Sequence, residues 1–213
     1  MEGKKLIIFD KDGTLMDSSP GSFTAFQALA DEKGLTIEPR ERWLEALCGS
    51  FGSNIKWLYH LDDEQAGPMA IEFVKLYGKL EGYYDFVEYP EICEVVRELA
   101  GRYMLSVATM MFVDFAVKTF QAMDIDGCFL TIQGSVLDRW RTKQDMIDAC
   151  MEMAGVTPDE VVMVGDCMDD LESARAAGID FVGVTYGYGF TPEDCEREGI
   201  PYARTPRELL SVL

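Results

Sequence analysis

A single histidine, His60, stands in this chain of 213 residues, so the sequence cannot assemble a zinc site from several imidazoles. A Ser-His-Asp triad would have to use that one ring, and no nucleophile-elbow pattern accompanies it. Basic side chains are also scarce: 19 Lys and Arg stand against 38 Asp and Glu, a net charge of −19. No Lys/Arg run exceeds Lys4-Lys5, so neither nucleic acid nor an anionic membrane is an expected partner. The acidity itself reads first as a solvated surface. No apolar run approaches the roughly 20 residues of a membrane span. The four apolar residues before Asp10 are too few for the apolar region of a signal peptide. None of the six cysteines (Cys48, Cys93, Cys128, Cys150, Cys167, Cys195) falls in a C-x-x-C pair. Reduced, packed thiols are expected, and with them a cytoplasmic protein.

What the chain does have is apolar content, 48% of residues with 11% aromatic, enough to bury one large core or two small ones. Leu6-Ile7-Ile8-Phe9 is wholly apolar and ends in acidic and glycine residues, the pattern of a central parallel strand buried on both faces. Met104 to Ala108, Val161 to Val164 and Phe181 to Val184 repeat the form, with Phe129 to Ile132 a weaker fifth. Between them lie helical patterns with readable ends. Pro90 and Gly101 bracket one, Thr142 and Gly155 a second, and Gly178 stops a third that carries Leu171, Ala174 and Ala177. Alternating strands and helices predict an α/β fold, a parallel sheet covered on both sides. From about Ser19 to Gly82 the periodicity is helical throughout, as in Phe23, Phe26 and Ala30 or Phe73, Val74 and Tyr77. This predicts a helical domain inserted after the first strand, with Trp43, Trp57 and the methionines as core and His60 on its surface.

Ligands of open parallel sheets sit beyond the carboxyl ends of the strands, which here are Asp10, Thr109 and Asp166. In extended chain Asp10 and Asp12 project to the same side, so both carboxylates face one pocket, and Gly13 permits a sharp turn after them. Paired carboxylates repel each other and any anionic substrate, and a hard divalent cation is the usual remedy. Asp166 closes a later strand, and Asp169 or Asp170 can add an oxygen to the same cation. Asp169 is as well explained as a complement to the helix dipole. Lys143 begins a helix, where a cation opposes the dipole. It either neutralises a phosphate in the pocket or lies solvated on the surface. Thr109 either binds a phosphate oxygen or caps the next helix.

Taken together, the order Asp10-x-Asp12-Gly13-Thr14, strand-end Thr109, Lys143, Gly165-Asp166-x-x-x-Asp170 resembles the haloacid dehalogenase superfamily of phosphatases. The resemblance implies a Rossmann-like parallel-sheet core over residues 1–15 and 88–213 and an all-helical cap, of the kind called C1, over 16–87. It implies Asp10 as nucleophile, Asp12 as the acid and then the base, and Thr109 and Lys143 as ligands of the transferring phosphoryl group. Mg²⁺ would be held by Asp10, the Asp12 backbone carbonyl and Asp166, with Asp170 close by or acting through water. The implied substrate is a small phosphorylated metabolite. Gly183 to Gly189 is similar to the tail of phosphoglycolate phosphatase-like members, and Gly134-Ser135 through Arg141 and Lys143 to a 5′-nucleotidase-like subgroup. A sugar-phosphate phosphatase or phosphomutase shares the same first motif.

Two positions depart from the common pattern: Met110 follows the motif threonine where relatives often have Asn, and Gln144 follows the lysine where many have Pro. Dehalogenase and phosphonatase relatives lack the second acid that Asp12 supplies, although Lys56 would offer phosphonate chemistry a cap lysine. Outside the superfamily, a phospho-acceptor signalling domain also combines acids, Thr and Lys on a parallel sheet, but its phosphorylated Asp lies on a middle strand. A catalytically silent binding module would have no need of every ionisable motif residue. The cap is expected to close over the strand ends, with substrate preference set at positions such as Arg40, Arg42 or Lys56.

Overall fold

The computed structural model describes residues 3–49, 51–136 and 141–213. Strand β1 (Leu6–Phe9) is buried at all four positions, as its unbroken apolar run requires. The short β2 (Met16–Asp17) follows, then helices α1 (Ser19–Lys33), α2 (Phe51–Leu58) and α3 (Asp63–Lys79), with a 3-10 segment Arg40–Leu47 between the first two. Strand β3 (Val87–Glu88) pairs antiparallel with β2, so the chain enters and leaves the helical segment through a two-stranded ribbon. The remaining elements alternate: α4 (Ile92–Ala100), β4 (Met104–Phe112), α5 (Val113–Ala122), β5 (Thr131–Ser135), α6 (Lys143–Ala154) and β6 (Val161–Gly165). They end with α7 (Met168–Ala177), β7 (Asp180–Val184), α8 (Pro192–Glu198), β8 (Tyr202–Ala203) and α9 (Leu209–Val212).

The main sheet has the order β5-β4-β1-β6-β7-β8, and its neighbouring strands run parallel. Phe9 stands level with Val107 on one side and Val164 on the other, so β1 and β6 end side by side while β4 continues past them, and Asp10, Thr109 and Asp166 come to one edge. The chain works outward from β1 to β5 and then crosses back to β6, which makes this edge the switch point where doubly wound sheets bind ligands. Alternation in β1 divides the core. Ile7 and Phe9 pack with Val95, Val96, Leu99 and Phe120, whereas Leu6 and Ile8 pack with Met146, Ile147, Cys150 and Leu171. A third apolar cluster belongs to the helical segment and joins Phe26, Leu29, Trp43, Ile55, Phe73 and Tyr77. Among the described residues no helix is long and apolar enough to cross a membrane.

Several expected boundaries move. The fourth helix starts at Ile92 rather than Pro90, because Glu91 takes a positive φ of 62° and Ile92 N donates to Tyr89 O across a turn. Strand β5 begins two residues after Phe129, which is held in a 3-10 turn by its N–H to Asp126 O. Strand β4 runs on past Thr109 to Phe112 through a register irregularity. Thr142 does cap α6, accepting from Asp145 N while Asp145 accepts from Thr142 N.

Where the helical segment meets its return path, α1 lies against backbone. A Cβ on Gly21 would fall 2.1 Å from Gly82 O and 2.9 Å from Asp85 O, and Gly21 N donates to Asp85 O. Gly21→Ala is expected to cost about 1–3 kcal/mol by overpacking and to lower Tm by roughly 3–10 °C in a thermal melt. A melt unchanged within a degree would show that this contact does not hold the segment in place.

Candidate active site

Asp10 leaves β1 with its N–H donated to Val164 O and its side chain buried, 5% exposed. The chain then turns sharply, with Lys11 O accepting from Leu15 N and Gly13 N donating to Met16 O. Gly13 sits at φ +82°, and a Cβ there would lie 2.3 Å from Asp166 Oδ2, so the position requires glycine on both counts. Asp166 emerges from β6, and its Oδ2 accepts from Tyr188 N at 2.8 Å. The Gly183 to Gly189 stretch singled out in the sequence therefore wraps this carboxylate.

Lys143 lies buried at the start of α6, where its ammonium donates to Asp10 Oδ1 at 2.8 Å and to Asp170 Oδ1. The surface alternative for Lys143 is thus set aside. Burial alone would lower the Lys143 pKa, but Asp10 and Asp170 outweigh it and hold it well above the ordinary value. Burial pushes the Asp10 carboxyl up to about 7, assisted by Asp170 and Asp12 and opposed by Lys143. Asp166 is raised as well, by burial first and then by Asp170 and Asp10. Asp170 is fully buried, and its Oδ2 accepts from the amides of Asp166 and Cys167 and from the Cys167 thiol. Its two oxygens are therefore occupied by protein. Asp169, half-buried in the same helical turn, does not reach those amides and keeps its reading as a dipole complement.

Four carboxylates, Asp10, Asp12, Asp166 and Asp170, thus gather against two ammonium groups, Lys143 and Lys11. A buried excess of negative oxygens, with two carboxyl groups raised by it, is the donor chemistry that a hard divalent cation satisfies. The residues present fit such an ion through Asp10 and Asp166. Asp166, Cys167 and Asp170 also bring their ligand atoms within 4.8 Å of one another. Thr109 is buried, and its Oγ1 accepts from Met111 N at 3.1 Å, so it braces the irregular end of β4.

Sequence reasoning passed over several residues. Lys11 is 1% exposed, and its Nζ donates to Asp12 Oδ1 at 2.6 Å. Its placement between two motif acids was the available signal. Tyr188 OH accepts from Ser18 N and donates to Asp17 Oδ1, tying the ribbon to the site. From the helical segment, the Cys48 thiol lies near that of Cys167, so the loop around Cys48 reaches the start of α7.

Beside the carboxylates lies a cavity of about 650 Å³ including its open mouth. Asp12, Ser18 and Ser22 stand on its wall with Phe26, Ala46, Phe51 and Tyr77 from the helical segment and Met110, Met111 and Phe112 from β4. The expected specificity positions are elsewhere, which corrects the sequence reading. Arg42 pairs with Glu38 and Glu45, Arg40 stacks over Phe23 and Trp43, and Lys56 pairs with Asp63. All three follow the acidic or aromatic partners of their own segment, and no lysine is among the described residues that line the cavity. His60 is exposed as expected, and Trp57 is only half-buried beneath Arg42. Part of the Gly134 to Lys143 stretch, residues 137–140, lies outside the described residues.

Comparison with known proteins agrees with this geometry. The model of the haloacid dehalogenase-like hydrolase family matches residues 4–178. A phosphoglycolate phosphatase of Pseudomonas putida is 30% identical over 207 residues, covering 90% of this chain and 74% of its own. A 5′-nucleotidase of Pseudomonas aeruginosa is 31% identical over 190 residues, covering 88% of this chain and 85% of its own. Among solved structures, a haloacid dehalogenase-like family protein of Streptococcus pneumoniae superposes with a TM-score of 0.88 at 27% identity, covering 99% of each chain.

Proposed function

Since this chain belongs to the haloacid dehalogenase-like hydrolase family and is a phosphomonoester hydrolase, we propose that it transfers a phosphoryl group from a small phosphomonoester to Asp10 and then to water, with Mg²⁺. The observation that carries the reading is the bridge of Lys143 between Asp10 and Asp170 beside the ends of β1 and β6. In this reading an Asp10 carboxylate oxygen attacks phosphorus, and the bond to the leaving oxygen breaks. Asp12 gives that oxygen its proton, and as a carboxylate it then takes a proton from the water that opens the acyl phosphate. Lys143 favours the ionised form of Asp10 and aims it, and Thr109 offers its hydroxyl hydrogen to a phosphoryl oxygen. Lys11 holds Asp12 by its Oδ1.

Asp10, Asp166 and the Asp12 carbonyl would hold the metal, with Asp170 positioning Lys143 and the Asp166 amide rather than binding directly. When bound, the ion supplies charge neutralisation for the anionic substrate and the transition state. Residues 16–87 are the cap in this reading, and 1–15 with 88–213 the catalytic core. Phosphoglycolate, a nucleoside monophosphate and a sugar phosphate each present the phosphoryl group that such a centre requires.

The test is hydrolysis of p-nitrophenyl phosphate by the purified protein, abolished by chelation and restored by Mg²⁺. Full activity after exhaustive chelation would sink the metal assignment. A second readout needs no turnover. An acid whose folded pKa is raised gives stability that is present below its unfolded value and lost as pH rises through the folded one. For Asp10 that window runs from about 4 to about 7. The chelated protein should therefore lose Tm across that window. Mg²⁺ at 100 times its Kd should raise Tm by roughly 5–10 °C at pH 7.5 and by less than half of that at pH 5. An equal Mg²⁺ shift at both pH values would count against carboxylate binding at this site.

A further inference from the structure

The cavity beside Asp12 is walled by aromatic and aliphatic side chains, with Phe51, Phe73 and Tyr77 facing Met110, Met111 and Phe112. Asp12 is the one charged residue among its described lining residues, and no Lys, Arg or His joins it there. Three basic side chains of the helical segment are engaged elsewhere, Arg42 and Lys56 with acids and Arg40 over aromatic rings. A leaving group carrying a carboxylate would thus be desolvated against apolar walls, beside Asp12 and without a cationic partner, an arrangement that disfavours binding.

Besides Ser18 and Ser22, Tyr77 and Asn54 bring polar groups to that wall. Tyr77 is 1% exposed, and its buried hydroxyl has no hydrogen-bond partner, although buried hydroxyls are normally paired. Burial first, and then Asp12 and Asp85, hold its phenol protonated far above the ordinary value, so it is a donor at neutral pH. Asn54 uses its amide NH₂ to bind the carbonyls of Ala46 and Cys48, which shapes the loop over the cavity.

Resting on the phosphatase reading above, we infer that the alcohol released from the substrate is uncharged and ring-bearing, that it packs in this apolar cavity, and that it presents an acceptor to the Tyr77 hydroxyl. Phosphoglycolate is then a poor substrate. Its glycolate is small and anionic, and neither property matches the wall.

The experiment compares kcat/KM of the purified Mg²⁺-loaded protein for benzyl phosphate, phosphoglycolate and the amide of phosphoglycolate, with p-nitrophenyl phosphate as the general phosphatase assay. All three alcohols are poor leaving groups, so the ranking reports the cavity rather than leaving-group chemistry. Benzyl phosphate is expected to exceed phosphoglycolate by about 100-fold, and the amide to exceed the parent acid by about tenfold, chiefly through KM. Among the ortho, meta and para carbamoylbenzyl phosphates, at least one should improve on benzyl phosphate about fivefold. Tyr77→Phe should erase that improvement without lowering Tm, because the hydroxyl has no protein partner to lose. Phosphoglycolate equal or superior to benzyl phosphate would overturn the inference while leaving the phosphatase reading intact. A carbamoyl advantage that is absent, or that survives Tyr77→Phe, would overturn the assignment of Tyr77. No hydrolysis of any ester, p-nitrophenyl phosphate included, would overturn the phosphatase reading, and this inference with it.

Discussion

Asp10→Asn should abolish turnover, by about 10⁴-fold or more, and abolish covalent phosphate labelling together with it. The amide keeps the size of the carboxylate and still offers Lys143 an acceptor oxygen. Lys143 also keeps Asp170, so the buried ammonium is not left alone. What the variant lacks is the anionic oxygen that attacks phosphorus. Its folded state should survive, and the chelated variant should show a flatter Tm profile between about pH 4 and 7, because the raised carboxyl that binds a proton in that window is gone. Rapid quenching with radiolabelled substrate checks the first claim, and a pH series of melts checks the second. Normal turnover by the variant, or label retained at another residue, would remove Asp10 from its assigned role.

The parts of this fold that could be read in advance are those written in local pattern. The run Leu6 to Phe9 is apolar on both faces because β1 lies in the middle of the sheet, and the capping chemistry of Thr142 and Asp145 needs only three residues to operate. The convergence of Asp10 and Asp166 followed from strand ends, since parallel neighbours in register must end together. The choice between Asp169 and Asp170 did not follow, because both lie in the first turn of α7. It is decided by which carboxylate reaches back to the amides of Asp166 and Cys167, and that is Asp170. The two fates of Lys143 were separable only by tertiary position, since helix dipole and pocket charge pull against each other at that residue. The walls of the cavity were illegible for the same reason. Phe51 and Tyr77 sit on separate helices and Met111 within an irregular stretch of β4, and only docking makes them neighbours. Their one local signal was Asn54, an amide at helical spacing from the apolar Phe51 and Leu58. Arg40, Arg42 and Lys56 stand out in the sequence by charge, whereas the described wall of the cavity is uncharged apart from Asp12.

Asp12→Asn separates the two carboxylates of the first motif, because it should slow the enzyme by an amount that depends on the ester. The asparagine oxygen can still accept from Lys11, so the buried ammonium keeps its partner and the fold should persist. A proton donor is missing, and p-nitrophenolate leaves without one, whereas an alkoxide does not. Phosphorylation by an alkyl phosphate should therefore slow by about 10²–10⁴-fold, and phosphorylation by p-nitrophenyl phosphate by far less. The second half-reaction loses its base whichever ester was used. With p-nitrophenyl phosphate the variant should accordingly release a burst of nitrophenolate, one equivalent per site, followed by slow turnover as the acyl phosphate accumulates. Acid quenching during that slow phase and peptide mapping should find the phosphate on Asp10. The same fractional loss for both esters, with no burst, would mean that Asp12 acts on binding or on the metal rather than on the proton of the leaving oxygen.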